Sequence, residues 1–272
     1  MTQLLNYTFF QNAIAGVLII SVASAIIGTY IIARRLVAIS GGVTHACFGG
    51  LGLGYFLGIN PIVMAGVFAV VSSLGVEWMA ERYRVREDSA IAVVWATGMA
   101  IGVLFVFLTP GYVPELNSFL FGSILTITAG DLWAFAIYVT VLIAFFLWKY
   151  KVIVACAFDR DFAKVAGLPV KFITYAMTVL VAVCVVLTIR LVGVMLLMSM
   201  LSLPQLIAET RYKRFGQIMR ASVIVSAVTC VIGLGLSTLI DVPCSALIVI
   251  VMVAAFVIAR TAASLRRRLH HT

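Results

Sequence analysis

The sequence predicts an all-α fold, a polytopic bundle of transmembrane helices, on the basis of three observations. Of its 272 residues, 64% are hydrophobic and only 11% are charged. Its mean hydropathy of +1.18 exceeds what a soluble domain of this length can accommodate. Its charged residues also fall between long uncharged segments, and about 20 apolar residues are enough for a helix to cross a bilayer.

Nine uncharged segments are long enough to cross, or nearly cross, the hydrocarbon core of a membrane. We therefore expect about nine spans, with eight as the alternative because the third, fifth and seventh segments are short. All of them belong to one predicted transmembrane domain, residues 1–272. In chain order the segments are residues 12–33, 36–59, 61–76, 89–114, 132–148, 172–189, 191–208, 221–240 and 242–259.

The basic residues predict how these spans are oriented. If the N-terminus is outside, 18 of the 19 lysines and arginines lie on the cytoplasmic side and only Arg190 lies outside. Cytoplasmic loops of membrane proteins carry an excess of Lys and Arg, so we predict that the N-terminus is outside and the C-terminus inside. The same distribution accounts for the net charge of +9 without a nucleic acid partner.

Missing motifs exclude several catalytic functions. The sequence has no G-x-x-x-x-G-K-[ST] phosphate-binding loop, no G-x-S-x-G and no H-E-x-x-H. We therefore expect that this chain is not an enzyme and does not itself hydrolyse ATP. Its five cysteines show no C-x-x-C spacing, so we expect neither disulfides nor a zinc knuckle. Four carboxylates are expected at span ends, where charged groups reach the interface: Glu77, Asp131, Glu209 and Asp241.

The second segment, residues 36–59, contains one histidine, His45. At a rise of 1.5 Å per residue, His45 lies roughly 14 Å from the start of the segment, near the midplane of a hydrocarbon core about 30 Å thick. An ionisable residue at that depth usually faces the bundle interior or a water-filled path, so His45 is our candidate path residue. Gly41 and Gly49, four residues before and after it, leave room on the same face for a helix, an ion or water. The alternative is a histidine hydrogen-bonded within a packed bundle.

A stripe of small residues follows the same helix at intervals of four, about 100° around the helix axis from His45. Small residues at this spacing let another helix approach closely. We expect the stripe to serve packing within the chain, and a dimer seam is the alternative. The stripe residues are Gly42, Ala46, Gly50, Gly54 and Gly58.

The stretch Ala157 to Ala166, AFDRDFAKVA, predicts a short amphipathic helix in a cytoplasmic loop. Gly167 and Pro169 predict its end. A helix of this kind lies along the membrane or docks in a groove of a cytoplasmic partner, and a surface turn without a partner is the alternative. Its apolar residues, which recur at helical spacing, are Phe158, Phe162 and Val165.

Three stretches carry a resemblance that covers nearly the whole chain. They are AISGGVTHACFGG at residues 38–50, AFDRDFAKVAGLPV at residues 157–170 and VGVMLLMSMLSLPQLIAE at residues 192–209. In this order, and with the predicted topology, they resemble the integral-membrane permeases of zinc, manganese and iron ABC transporters.

The resemblance implies a homodimer in the lipid of a bacterial cytoplasmic membrane, with a translocation path between the two copies. It also implies cytoplasmic ATPase subunits that drive transport and an extracytoplasmic metal-binding protein that delivers the metal. The cargo would be a divalent zinc, manganese or iron ion that His45 handles, and no cofactor would be bound permanently. Residues 157–168 would form the coupling segment on which the ATPase docks. The coupling residues expected there are Asp159, Asp161, Phe162, Ala163 and Gly167.

At one position the chain departs from the family pattern. Many members have an aspartate four residues before the histidine, where this chain has Gly41. An aspartate and a histidine from each of two copies would give four ligands for a divalent ion. His45 alone from each copy gives a softer site, which favours zinc or ferrous iron over manganese. Alternatively, the metal only passes His45 and the external binding protein selects it.

The main hypothesis is therefore the permease subunit of an ATP-driven importer of a divalent metal ion. One alternative is a similar permease for a metal chelate such as a siderophore or haem, which requires a wider path. A second alternative is a secondary carrier, which would transport metal without an ATPase when an ion gradient is present. A third is a membrane scaffold that transports nothing.

Overall fold

The computed structural model describes residues 7–110, 122, 124–240 and 242–269. This part of the chain is helical apart from short connections and contains no β-strand, so the predicted all-α class is confirmed. The end of the fourth predicted span, residues 111–114, and part of the connection to the fifth lie outside the described residues. The α-helices are α1 Thr8–Ala33, α2 Val37–Leu57, α3 Pro61–Tyr83, α4 Glu87–Leu108, α5 Ala129–Phe158, α6 Arg160–Val165, α7 Val170–Met200, α8 Leu203–Glu209, α9 Phe215–Ile240 and α10 Cys244–Leu269.

Within the described residues, eight helical stretches are long and apolar enough to cross a membrane, which matches the alternative of eight spans rather than nine. The difference arises at Val170–Glu209, a single 40-residue stretch that joins the sixth and seventh predicted spans. Arg190 does not interrupt it, and the backbone instead leaves helical geometry at Gly193, where φ is +80° and ψ is 172°. The stretch comprises two helices, α7 and α8, separated by Leu201 and Ser202. The number of crossings it makes and the orientation of the chain stay predictions.

The described residues form two compact units. In the first unit, Ser226 of α9 donates a hydrogen bond to Ser21 of α1, with 3.1 Å between the two hydroxyl oxygens. Gln205 of α8 donates to the carbonyl oxygen of Ser24 in α1 over 2.8 Å. Short polar side chains at such contacts hold membrane helices close together. This unit consists of α1, residues 129–141 of α5, residues 191–200 of α7, and α8, α9 and α10.

The second unit is built around α2, which packs directly against α3 and α4. Along the predicted stripe, Gly42 and Ala46 face α4, whereas Gly50 and Gly54 face α3. Gly58 does not pack: its φ of +67° ends α2 in the left-handed conformation that favours glycine, and a Cβ there would meet nothing within 4 Å. The other members of this unit are residues 142–158 of α5, α6 and residues 170–190 of α7.

We predict that Gly50→Ala lowers the thermal stability of the protein, because the new Cβ would lie 2.7 Å from the Cα of Ala65 in α3. Overpacking of this kind typically costs about 1–3 kcal/mol. Gly75→Ala in α3 is the matched control, since a Cβ there has no neighbour within 4 Å. The melting temperature of detergent-solubilised protein should fall for Gly50→Ala alone. Equal melting temperatures for the two variants would contradict the close contact between α2 and α3.

Candidate functional site

His45 lies on α2 with its imidazole stacked on the indole of Trp95 from α4. The ring centroids are 4.5 Å apart and the planes differ by 3°. The ring of Phe48, one turn further along α2, is also roughly parallel to the imidazole, with centroids 6.0 Å apart. His45 is half-buried, and Trp95 remains exposed on the outside of the chain. The aromatic stack therefore holds the imidazole at a surface of α2 and α4 that this chain does not fully cover.

One nitrogen of the His45 imidazole, Nδ1, makes no hydrogen bond to the described residues. The Nδ1 atom is also buried. A buried polar atom without a partner is unfavourable, and a neutral imidazole nitrogen is a common ligand of transition metals. Within the described residues, no group of three or more His, Cys, Asp or Glu side chains could hold a metal ion. One chain therefore contributes at most part of a metal site at this position.

The two glycines predicted beside His45 are both buried within α2. Gly41 is buried in α2, one turn before His45. At Gly49, a Cβ would lie 2.7 Å from the ring of Phe68 in α3 and 3.0 Å from the carbonyl oxygen of Gly98 in α4. The space expected at Gly49 is thus occupied by neighbouring helices of the same chain.

The coupling segment forms the short helix α6, Arg160–Val165, which begins later than predicted because residues 157 and 158 belong to α5. Asp159 caps it: one carboxylate oxygen accepts hydrogen bonds from the backbone N–H groups of Asp161 and Phe162, at 3.0 and 2.9 Å. Gly167 ends the turn with a φ of +72°, and its N–H donates to the carbonyl oxygen of Lys164 over 3.0 Å. The predicted stop at Gly167 therefore corresponds to a real cap, whereas the cap at Asp159 places the start of the helix later than predicted.

The side chains of this segment divide into buried and exposed. Ala163 is fully buried, which anchors α6 on the second unit. Phe162 and Val165 are 65% and 90% exposed, and the carboxylate of Asp161 is also exposed. The apolar residues that suggested an amphipathic helix are thus not covered by this chain.

A cluster of four charged side chains connects α6 to the helices around α2. Arg34 precedes α2, Glu77 lies in α3, Glu87 begins α4 and Arg160 begins α6. Each arginine contacts both carboxylates, so four ion pairs close a ring of alternating charge. We call these four residues the charge ring.

The charge ring is largely shielded from solvent. The side chains of Arg34 and Glu77 are only 4% and 2% exposed. Arg34 is 2.9 Å from Glu77 and 2.8 Å from Glu87, and Arg160 is 2.8 Å from Glu77. Thr178 of α7 adds a hydrogen bond, its hydroxyl donating to Glu77 over 3.2 Å. Buried charges in proteins are normally paired in this way.

The charge ring corrects the expectation that Glu77 sits at a span end and reaches the interface. Helix α3 continues to Tyr83, so Glu77 lies almost two turns inside it. A carboxylate within a span normally has a cationic partner. The sequence contained a signal for this, since Arg34, Arg160 and Glu77 are all predicted on the cytoplasmic side.

Comparisons with known proteins agree with the motifs. A model of the ABC 3 transport family matches residues 6–263. An uncharacterized membrane protein of Synechocystis sp. is 39% identical over 258 residues, which cover 95% of this chain and 92% of that protein. A protein of Haemophilus influenzae described as a probable iron transport system membrane protein is 31% identical over 264 residues, 97% of each chain. The solved structure of PsaBC from Streptococcus pneumoniae in complex with Fab has a similar fold, with a TM-score of 0.82 at 23% identity over 95% of this chain and 93% of that one.

Proposed function

The chain belongs to the ABC 3 transport family, and we propose that two copies of it form the translocation path of an ATP-driven importer of a divalent metal ion. The chain is the membrane-spanning permease of a metal transport system. Separate cytoplasmic subunits hydrolyse ATP, and an external metal-binding protein delivers zinc, manganese or iron. The family match carries this proposal, because residues 6–263 include both His45 and the coupling segment.

The surroundings of His45 support a path between two copies. Its ring lies at a surface that one chain leaves partly uncovered, and its Nδ1 has no partner among the described residues. A metal ion needs several ligands, and a second copy supplies another His45 at a symmetric interface. Because Gly41 brings no carboxylate, the site depends on imidazole nitrogens, water and backbone oxygens.

The coupling segment supports docking on a cytoplasmic ATPase. Phe162 and Val165 present apolar side chains to the outside of the chain, and Asp161 adds a charge beside them. Exposed apolar side chains on a short, capped helix fit a groove on a partner protein. ATP-driven movement of that partner would reach the permease through α6 and shift it between outward-facing and inward-facing states.

We predict that wild-type chain restores the content of one divalent metal in metal-starved cells that lack it. Element-resolved mass spectrometry of cells grown in limiting zinc, manganese or iron measures all three metals at once. The chain should restore uptake only when the ATPase of the same transport system is present. Uptake by the isolated chain in liposomes, driven by an ion gradient, would support a secondary carrier, and no change in any of the three metals would contradict the importer.

A further inference from the structure

We infer that the charge ring is the mechanical link through which the coupling segment moves the helices that carry His45, with Arg160 as its positioning residue. This inference rests on the proposed function, because it assigns a route to the movement that the ATPase supplies. The four residues of the ring are Arg34, Glu77, Glu87 and Arg160.

The first step is the geometry of Arg160. One terminal nitrogen of the Arg160 guanidinium, Nη2, pairs with Glu77 in α3, and the other terminal nitrogen, Nη1, pairs with Glu87 in α4. A guanidinium presents its donors in a rigid planar fork, so it fixes direction as well as distance. A displacement of the start of α6 therefore has to displace both carboxylates or break two charge-assisted hydrogen bonds.

The second step is that breaking the ring is costly. Glu77 accepts from both arginines and from Thr178, and its side chain is nearly inaccessible to water. Water therefore cannot readily replace a lost partner, and an uncompensated buried charge is strongly unfavourable. The ring consequently moves as a unit with α6 and does not open first.

The third step is that the side chains of α6 make few other contacts with the second unit. Its backbone continues into α5 through Asp159, whose N–H donates to the carbonyl oxygen of Ala155 over 3.0 Å. Ala163 is its buried apolar residue, whereas Phe162 and Val165 are exposed. A cavity of about 550 Å³ adjoins the helix, and its lining includes Arg160, Lys164, Glu81 and Thr174. Among the side chains of α6, Arg160 therefore makes the ion pairs that join this helix to α3 and α4.

The fourth step leads from the ring to His45. Glu77 and Glu87 lie on α3 and α4, the two helices that pack closely against α2. Helix α4 also carries Trp95, whose indole is stacked on the imidazole of His45. A shift of α4 therefore changes the position of the aromatic ring that holds the path residue.

The test is the double variant Arg160→Gln with Glu87→Gln. Arg160→Gln alone leaves the ring with one negative charge in excess, whereas the double variant is neutral and keeps the pair between Arg34 and Glu77. If the ring only balances charge, the double variant restores function. If the ring is a mechanical link, the double variant still binds the ATPase, but ATP hydrolysis no longer drives metal transport. The matched control is Arg86→Gln, which removes an exposed ion pair with Asp88 next to the start of α4.

The measurement is the number of metal ions transported per ATP hydrolysed by the purified permease–ATPase complex in liposomes, with Mn²⁺, Zn²⁺ and Fe²⁺ tested in turn. We expect the double variant to co-purify with the ATPase at the wild-type level and to keep its ATP hydrolysis. Its transport per ATP should fall at least tenfold, and Arg86→Gln should match wild type. Wild-type transport per ATP in the double variant would overturn the inference, and so would loss of the ATPase from the complex. If the wild-type complex transports none of the three ions, the proposed function fails instead.

Discussion

We expect His45→Ala to abolish metal uptake while the protein reaches the membrane at wild-type abundance. The imidazole is half-buried at a surface shared by α2 and α4, and its Nδ1 has no partner among the described residues. Removing it therefore leaves no new unsatisfied group in the fold, but it removes the proposed metal ligand. Loss of a group that only supports a metal ligand typically costs about 10–100-fold in affinity or activity, so loss of the ligand itself should reduce uptake to background.

The variant His45→Phe distinguishes two roles of His45, metal binding and packing against Trp95. A phenyl ring keeps the stack on Trp95, where the present centroid distance is 4.5 Å, but offers no nitrogen. If His45 binds the passing metal, His45→Phe loses uptake as completely as His45→Ala. Metal content in starved cells, normalised to the amount of permease in the membrane, gives the answer. Uptake that survives in His45→Phe would show that the ring is needed for packing and that the metal is bound elsewhere.

The sequence predicted the membrane class well because that prediction depends on composition. Backbone groups in hydrocarbon must be hydrogen-bonded within the segment, so a long apolar run has few alternatives to a helix. The C-terminal end of the coupling segment could be predicted for a similar reason, because a C-terminal Gly acts through local backbone contacts. Gly167 takes this role in the structure.

Features that depend on distant contacts could not be predicted in this way. The charge ring joins residues 34, 77, 87 and 160, whose proximity follows from helix packing and not from spacing. The sequence left open whether a helix, an ion or water lies beside Gly49, and Phe68 of α3 occupies that space. The predicted division of residues 172–208 lies at Arg190, although Gly193 is the residue within α7 that departs from helical geometry. Local pattern therefore identified the candidate residues, and tertiary contacts determined what surrounds them.

We expect Phe162→Ala combined with Val165→Ala to release the ATPase from the permease without unfolding α6. Both side chains are exposed, the Asp159 cap and buried Ala163 are untouched, and alanine is the best helix former. Burying a Phe and a Val at an interface contributes about 3 kcal/mol in total after the cost of ordering, which corresponds to roughly a hundred-fold in affinity. Pull-down of the ATPase by tagged permease from detergent extracts should therefore lose most of the ATPase. Phe107→Ala is the control, because Phe107 is also exposed but lies near the other end of α4, far along the helix from Glu87. Retention of the ATPase at the wild-type level by the double variant would mean that the exposed apolar face of α6 is not the docking surface.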